Sequence, residues 1–197
     1  MNEKSIESIV DTAYKLYMPQ WREEIIGLST FIKEKNPKVI VEIGTKFGGT
    51  FMIWNEICDG LNISIDLTDG IHGGISKDKV EIRNKNFKKL YGEKSIFIEG
   101  NSHQMSTVNK LKSYLNEKSI DFLFIDGDHT VEGVTQDYEM YKHLVKSGGY
   151  IGFHDINDTE LHRLRNVHVC KLWNSIEGEK IEFNVNKEWG GIGVIKI

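Results

Sequence analysis

The sequence predicts an α/β protein built on a mostly parallel sheet with helices on both faces. Short apolar runs rich in Ile, Val and Phe recur along the chain and stop at Gly, Asp or Asn. Amphipathic stretches with helical spacing separate them, and strands alternating with helices pair in parallel through right-handed crossovers. At the end of the chain, "KIEFNV" (180–185) and "GGIGVIKI" (190–197) have no strong helical pattern between them. An antiparallel hairpin at one edge of the sheet is therefore expected.

Two helices are expected first, over 4–17 and 19–35. Ile6, Ile9, Val10, Ala13, Leu16 and Tyr17 recur at helical spacing in the first, and Pro37 closes the second. Strands are expected at "KVIVEIG" (38–44), "NISIDL" (62–67), "SIFIEG" (95–100), "IDFLFIDG" (120–127) and "YIGFHDI" (150–156). Their near-continuous apolar character suits strands covered on both faces. Helices are expected between them, near 49–59, 78–91, 103–117 and 131–146. In the last, Val131, Val134, Tyr138, Tyr141 and Val145 alternate three- and four-residue steps, which makes a core-facing stripe.

The 197 residues suit one domain with a single sizeable core. A net charge of −4 and a pI near 6.0 give no general pull toward nucleic acid or an anionic membrane. Lys85, Lys88 and Lys89 read as a solvated helix face. No stretch approaches the roughly 18 apolar residues of a membrane span, and the first 20 residues lack a signal-peptide core. Cys58 and Cys170 form no CxxC pattern and read as thiols in a reducing compartment, with the cytoplasm as the default address.

In such sheets ligands bind beyond the carboxyl ends of the strands. Those ends are polar here: Glu42, Asp66, Glu99, Asp126, His154 and Asp155. The turn after the first strand is Gly44-Thr45-Lys46-Phe47-Gly48-Gly49-Thr50. A dinucleotide fingerprint needs glycine where Lys46 stands, and a nucleoside-triphosphate loop needs a lysine that Gly48-Gly49-Thr50 lacks. Neither phosphate reading survives. The remaining reading is a turn that lets backbone approach a small ligand, with Asp66 placed to accept hydrogen bonds from a ribose diol.

"VEIGTKFGGT" resembles the first motif of class I S-adenosylmethionine-dependent methyltransferases. "IDFLFIDGDHTVEGVTQDYEMYKHLVKSGGYIGFHDI" (120–156) is similar to a subgroup of small-molecule O-methyltransferases that includes catechol-type, macrolide-sugar and cephalosporin-hydroxylase-like enzymes. The resemblance covers about residues 37–156. It implies a Rossmann-like, seven-stranded sheet with a reversed final strand. It also implies one methyltransferase domain over 1–197: N-terminal helices in 1–36, a cofactor-binding core in 37–156, and a C-terminal helix and hairpin in 157–197. By the same resemblance Glu42, Gly44, Thr45, Gly48, Gly49 and Thr50 would hold the methionine end of S-adenosylmethionine. Asp66 would take the ribose, and Asn101 and Ser102 would lie by the adenine, with Asn101 where the family more often has Asp.

Methyl transfer to a hydroxyl needs a general base or a divalent metal to make the oxygen nucleophilic. "IDGDH" and "FHDI" offer both. Asp126 and Asp155 end neighbouring strands, and oxygen ligands suit Mg²⁺, or Mn²⁺ where a nitrogen joins. In metal-dependent relatives the equivalents of Asp126 and Asp155 are ligands. His154 stands where an acid is usual, which would favour a softer ion such as Mn²⁺ or Fe²⁺. His129 matches a proposed catalytic base of the macrolide-sugar enzymes, with Asp126 beside it. The reading therefore assigns catalysis to His129 and Asp126, and metal binding to Asp126, His154 and Asp155.

Plainer roles stand beside these. Asp126 before Gly127 could merely end a strand, and Asp128 reads best as a cap of the next helix with Thr130. His72, His103, His143, His162 and His168 read as surface or satisfied core residues, with His103 the exception by its place after the adenine loop. Trp189 suits either an acceptor pocket or the core. Two other functions fit parts of the pattern. One is a metal-dependent hydrolase or oxygenase using Asp126, Asp128, His129, His154 and Asp155; the other is a non-catalytic cofactor-binding module. The acceptor expected for the methyltransferase is a hydroxyl on a small molecule such as a sugar or secondary metabolite. Nucleic acid and membrane are not expected partners, and a homo-oligomer is possible.

Overall fold

A computed structural model describes residues 4–68 and 74–197; His72 lies outside the described residues. Two helices, α1 (Ile6–Tyr14) and α2 (Arg22–Glu34), precede the first strand. The alternating part runs β1 (Val39–Ile43), α3 (Gly49–Ile57), β2 (Leu61–Asp66), α4 (Lys77–Tyr91), β3 (Ser95–Glu99), α5 (Met105–Leu115), β4 (Ile120–Ile125), α6 (Val131–Tyr141) and β5 (Val145–His154). Short helices α7 (Glu160–Leu164) and α8 (Val169–Ser175) lead to β6 (Lys180–Phe183) and β7 (Ile192–Lys196). No helix among the described residues is long and apolar enough to cross a membrane.

The seven strands form one sheet in the order β3-β2-β1-β4-β5-β7-β6. The expected α/β class and terminal hairpin are both present. β7 runs antiparallel to β5 and β6, inserting between them and leaving β6 at the edge. Alternate residues of each strand feed two separate cores. Val41, Ile43, Leu123 and Ile125 pack toward α5 and α6. Ile40, Phe122 and Phe124 pack with Phe51, Ile53 and Trp54 of α3 and with α1 and α2. Each fully buried Ile or Phe is worth about 1.5–3 kcal/mol. Burial on both faces therefore fixes the strand register, and with it the position of every strand tip.

One boundary departs from the expected pattern. The helix expected over 131–146 ends at Tyr141, and β5 begins at Val145 rather than at 150. Gly148 and Gly149 lie in the stretch that the expected strand leaves out. In the fold they form an irregularity inside the strand, where the pairing with β4 shifts register. Gly148 takes φ +78°, and its N–H donates to the Ile197 carbonyl, so the interruption stays within the sheet.

The chain proceeds outward from β1 to β3, then returns to place β4 on the other side of β1. The strand order reverses between β1 and β4, which is where such sheets open a crevice at their carboxyl ends. Backbone bonds extend past the strand tips here. Gly44 N–H donates to Ile65 O (2.9 Å), Asp126 N–H to Ile43 O (2.8 Å) and Gly100 N–H to Asp66 O (3.0 Å).

Candidate active site

A cavity of about 460 Å³ opens over this crevice, within the range of small-molecule sites (roughly 300–1,000 Å³). One end is built by backbone. Gly44 has φ +91°, and a Cβ there would lie 2.1 Å from the Asp126 carbonyl oxygen, so only glycine lets the turn sit against β4. Lys46 also has positive φ (+49°), and its N–H donates to Asp66 Oδ2 (3.1 Å). Arg83 of α4 donates from Nη1 to the same oxygen (2.8 Å) and to the Lys46 carbonyl (2.5 Å). The turn and the Asp66 carboxylate are thus fixed to one buried guanidinium.

Gly44, Thr45, Gly49, Thr50, Asp66, Asn101 and Ser102 all line the cavity. The Thr45 and Ser64 hydroxyls hydrogen-bond to each other, and Asn101 Oδ1 accepts the His103 N–H (2.9 Å). Glu42 and Gly48 do not line it. Strand alternation turns Glu42 toward α3, where Trp54 Nε1 donates to its Oε2 (2.6 Å). Burial, with the charge of Asp126 adding to it, raises the Glu42 carboxyl well above the usual range. Gly48 instead caps α3 in a left-handed conformation beside Phe87.

Side chains from distant segments build the other end. His154 Nδ1 lies 3.1 Å from Asp126 Oδ1 and 3.4 Å from Asp155 Oδ1. Asp126, His154 and Asp155 offer two carboxylate oxygens and one imidazole nitrogen within 4.8 Å of one another, a group able to hold a metal ion. Asp155 takes φ +62°, uncommon for a non-glycine residue. Its Oδ2 lies 2.8 Å from His129 Nδ1, and its Oδ1 lies 3.4 Å from His162 Nε2. His129 Nε2 lies 3.8 Å from Asp126 Oδ1.

Charge is distributed accordingly. Burial works to lower His154, but the Asp155 and Asp126 carboxylates outweigh it and raise its pKa to about 9. His129 follows the same pattern: burial is opposed and exceeded by the bond to Asp155 and the charge of Asp126. Asp155 is held well below the usual carboxylate range, because the three histidines around it overcome its own burial.

Three residues at this end were not read as site residues from sequence. Gln20 is buried and donates from Nε2 to Asp126 Oδ2 (3.2 Å). Its only local signal was an amide beside Pro19. His162 was read as a surface or core residue; it is buried on the cavity wall, its Nε2 accepting the Gly190 N–H (3.1 Å). Arg165 lines the mouth. Trp189 lies on the wall, edge-on to His154 and against Trp21. Asp128 has the expected capping role: its Oδ1 accepts both the Thr130 N–H (2.9 Å) and hydroxyl (2.8 Å), and Thr130 caps α6.

The fold and this crevice define a protein of the methyltransferase class. A family described as a methyltransferase domain matches residues 41–156, and the chain belongs to it. The resemblance seen in the glycine turn and in residues 120–156 is borne out at that level. An uncharacterized protein, R132, from Acanthamoeba polyphaga mimivirus is 33% identical over 129 residues. That match takes in 64% of this chain and 54% of the viral protein, so the chain spans about half the length of this relative. Among solved structures, a Staphylococcus aureus protein provisionally assigned as a caffeoyl-CoA O-methyltransferase superposes with a TM-score of 0.67 at 21% identity, covering 98% of this chain and 93% of that one. A Bacillus cereus O-methyltransferase in complex with SAH gives 0.61 at 16% identity over 100% and 92%. TomG from Streptomyces achromogenes, an O-methyltransferase in complex with SAM, gives 0.61 at 11% identity over 98% and 89%. At these identities the likeness establishes the shared fold.

Proposed function

We propose that the chain transfers the methyl group of S-adenosylmethionine to a hydroxyl of a small molecule, such as a sugar or secondary metabolite, with a divalent cation assisting. One observation carries this reading: a single cavity joins the glycine turn and Asp66 to the Asp126–His129–Asp155 group. The residues fit the cofactor. Gly44 and Gly49 line the cavity in a turn that packs tightly on Asp126 and Met18, and Asp66 would present a carboxylate to a diol. In the proposed arrangement Gly44, Thr45, Gly49 and Thr50 hold the methionine end, with Glu42 and Gly48 supporting them from behind. Asp66 binds the ribose, and Asn101 and Ser102 flank the adenine.

The acceptor end supports a base. Asp155 holds His129 Nδ1, which leaves Nε2 toward Asp126 and the cavity. In the transfer, the acceptor oxygen forms a bond to the methyl carbon as the carbon–sulfur bond breaks. His129 Nε2 takes the hydroxyl proton. Asp126, His154 and Asp155 fit Mg²⁺ or Mn²⁺ by donor type, and such an ion would lower the pKa of a bound hydroxyl. Residues 1–197 then act as one catalytic domain. Free Cys58 and Cys170, both buried, suit a reducing compartment such as the cytoplasm.

Calorimetric titration with S-adenosylhomocysteine, followed by transfer of labelled methyl to a panel of hydroxyl compounds, tests the proposal. Saturable binding and chelator-sensitive transfer are expected. Transfer that survives exhaustive chelation removes the metal from the reading and leaves the rest. Metal-dependent turnover without any binding of S-adenosylhomocysteine replaces it with a hydrolase or oxygenase.

A further inference from the structure

A second cavity, of about 660 Å³, lies on the outer side of the glycine turn, between the segment that follows α1 and the exposed face of α4. Its floor is apolar: Met52, Ile75 and Phe87 are buried there. Its rim carries large apolar side chains that stay in solvent, Tyr17, Ile82 and Leu90, each more than half exposed. Single exposed apolar residues are ordinary, but several converging on one concavity mark a binding surface. Tyr17 also lines the catalytic cavity, so the two spaces share a wall. Tyr17 adopts φ +59°, a conformation unusual for a bulky side chain, and packs edge-on against Phe47.

The charged side chains that line this groove are all basic. Lys15, Lys79 and Lys89 line it, and no Asp or Glu does, although the whole chain carries a net charge of −4. None of the three lysines forms an ion pair among the described residues, whereas Lys88, one position away, pairs with Glu93. Most polar groups at the floor are already engaged, and of Arg83 only the buried Nη2 has no hydrogen-bond partner among the described residues. The Tyr91 hydroxyl donates to Glu56 (2.9 Å), and Arg83 Nη1 is spent on Asp66 and the Lys46 carbonyl. A ligand must therefore bring an apolar body for the floor and a negative head for the rim. Lysine ammonium groups are point charges suited to a compact carboxylate. Recognition of phosphate would favour arginine's two-pronged fork, and Arg83 cannot present one, because its Nε and Nη1 are held by Asn84, Asp66 and the Lys46 carbonyl and only a buried Nη2 is left.

We propose that this groove is a binding site for a long-chain carboxylate, an amphiphile whose chain lies over Met52, Ile75 and Phe87 and whose head meets Lys15, Lys79 and Lys89. The proposal stands apart from the methyl-transfer reading and does not need it.

Calorimetric titration of the full chain with dodecanoate, below its micelle concentration, tests it. Saturable one-to-one binding is expected, at least ten-fold weaker for dodecyltrimethylammonium, which keeps the chain and reverses the charge. Butyrate, which keeps the head and loses the chain, is expected not to bind. The rim variants Lys79→Glu with Lys89→Glu, and Ile82→Asp alone, should each weaken dodecanoate at least ten-fold. All of these positions are exposed, and an unchanged melting temperature shows that the variants are folded. Equal binding of the two amphiphiles, absence of saturable binding, or binding seen only to anionic phosphatidylglycerol vesicles would each overturn the proposal.

Discussion

The two ends of the cavity over the crevice are made in different ways. The end at β1, β2 and β3 is a backbone surface: a glycine turn, two strand tips and one carboxylate, drawn from segments that each read locally. The end at β4 and β5 is a side-chain surface. Gln20, Asp126, His129, His154, Asp155, His162 and Trp189 converge there from five parts of the chain. A backbone cradle depends on its conformation and on the glycines that permit it, whereas a convergent cluster depends on each side chain it contains. The same division separates a shared donor from an acceptor that differs between enzymes.

Substitutions at the two ends should therefore fail differently. The largest effect is expected for Asp126→Asn, which keeps the shape and removes the charge facing His129 and His154. Turnover at saturating donor should fall by about 10²–10⁴-fold, with S-adenosylhomocysteine affinity nearly unchanged by calorimetry. Equal losses of turnover and cofactor affinity would erase the contrast between the ends. Gly44→Ala should act through the fold. A Cβ 2.1 Å from the Asp126 carbonyl, at φ +91°, is expected to cost about 3 kcal/mol or more in urea unfolding.

Asp66→Ala should be milder for turnover, acting on cofactor binding and also on the fold, because it leaves the buried Arg83 guanidinium without its ion-pair partner. Cofactor affinity is expected to weaken by about 10–100-fold, the loss of hydrogen bonds to a charged group, with turnover retained at saturation. The smallest effect concerns His103, whose Nε2 lies 3.2 Å from the fully buried Asp137. That carboxylate raises the His103 pKa above the ordinary 6.5. A raised histidine pKa stabilises the fold fully below about pH 6.5, and the benefit disappears as pH climbs through the folded-state value. Wild type should exceed His103→Gln by about 1 kcal/mol at pH 6, and the gap should close at alkaline pH. A gap independent of pH would assign His103 a packing role alone.

The same contrast explains what could be read before the fold was known. Strand tips, the glycine turn and Asp66 were legible because each depends on a handful of adjacent residues and on the alternation of apolar runs. Lys46 already separated this turn from the phosphate-binding types, and its positive φ and bond to Asp66 give that substitution a conformation. Gln20 and His162 were not legible. The first meets Asp126 across 106 positions, and the second meets Asp155 only because α7 folds back over the cavity. Asp155 itself was found, but its left-handed backbone and its place between three histidines depend on how β5 ends against β7. The start of β5 was missed for a related reason: the Gly148-Gly149 pair marks a break in pairing without saying whether the chain turns or continues.

The contact between Gly44 and the Asp126 carbonyl carries a consequence for engineering. It pins the glycine turn of β1 against the tip of β4, two strands already paired side by side, so both ends of the cavity are measured off one ruler. Libraries aimed at new acceptors should leave that ruler intact. Diversity belongs at Tyr17, Leu161, Arg165 and Val167, which border the opening, while Gln20 and His162 in the same segments are kept for their contacts with Asp126 and Asp155.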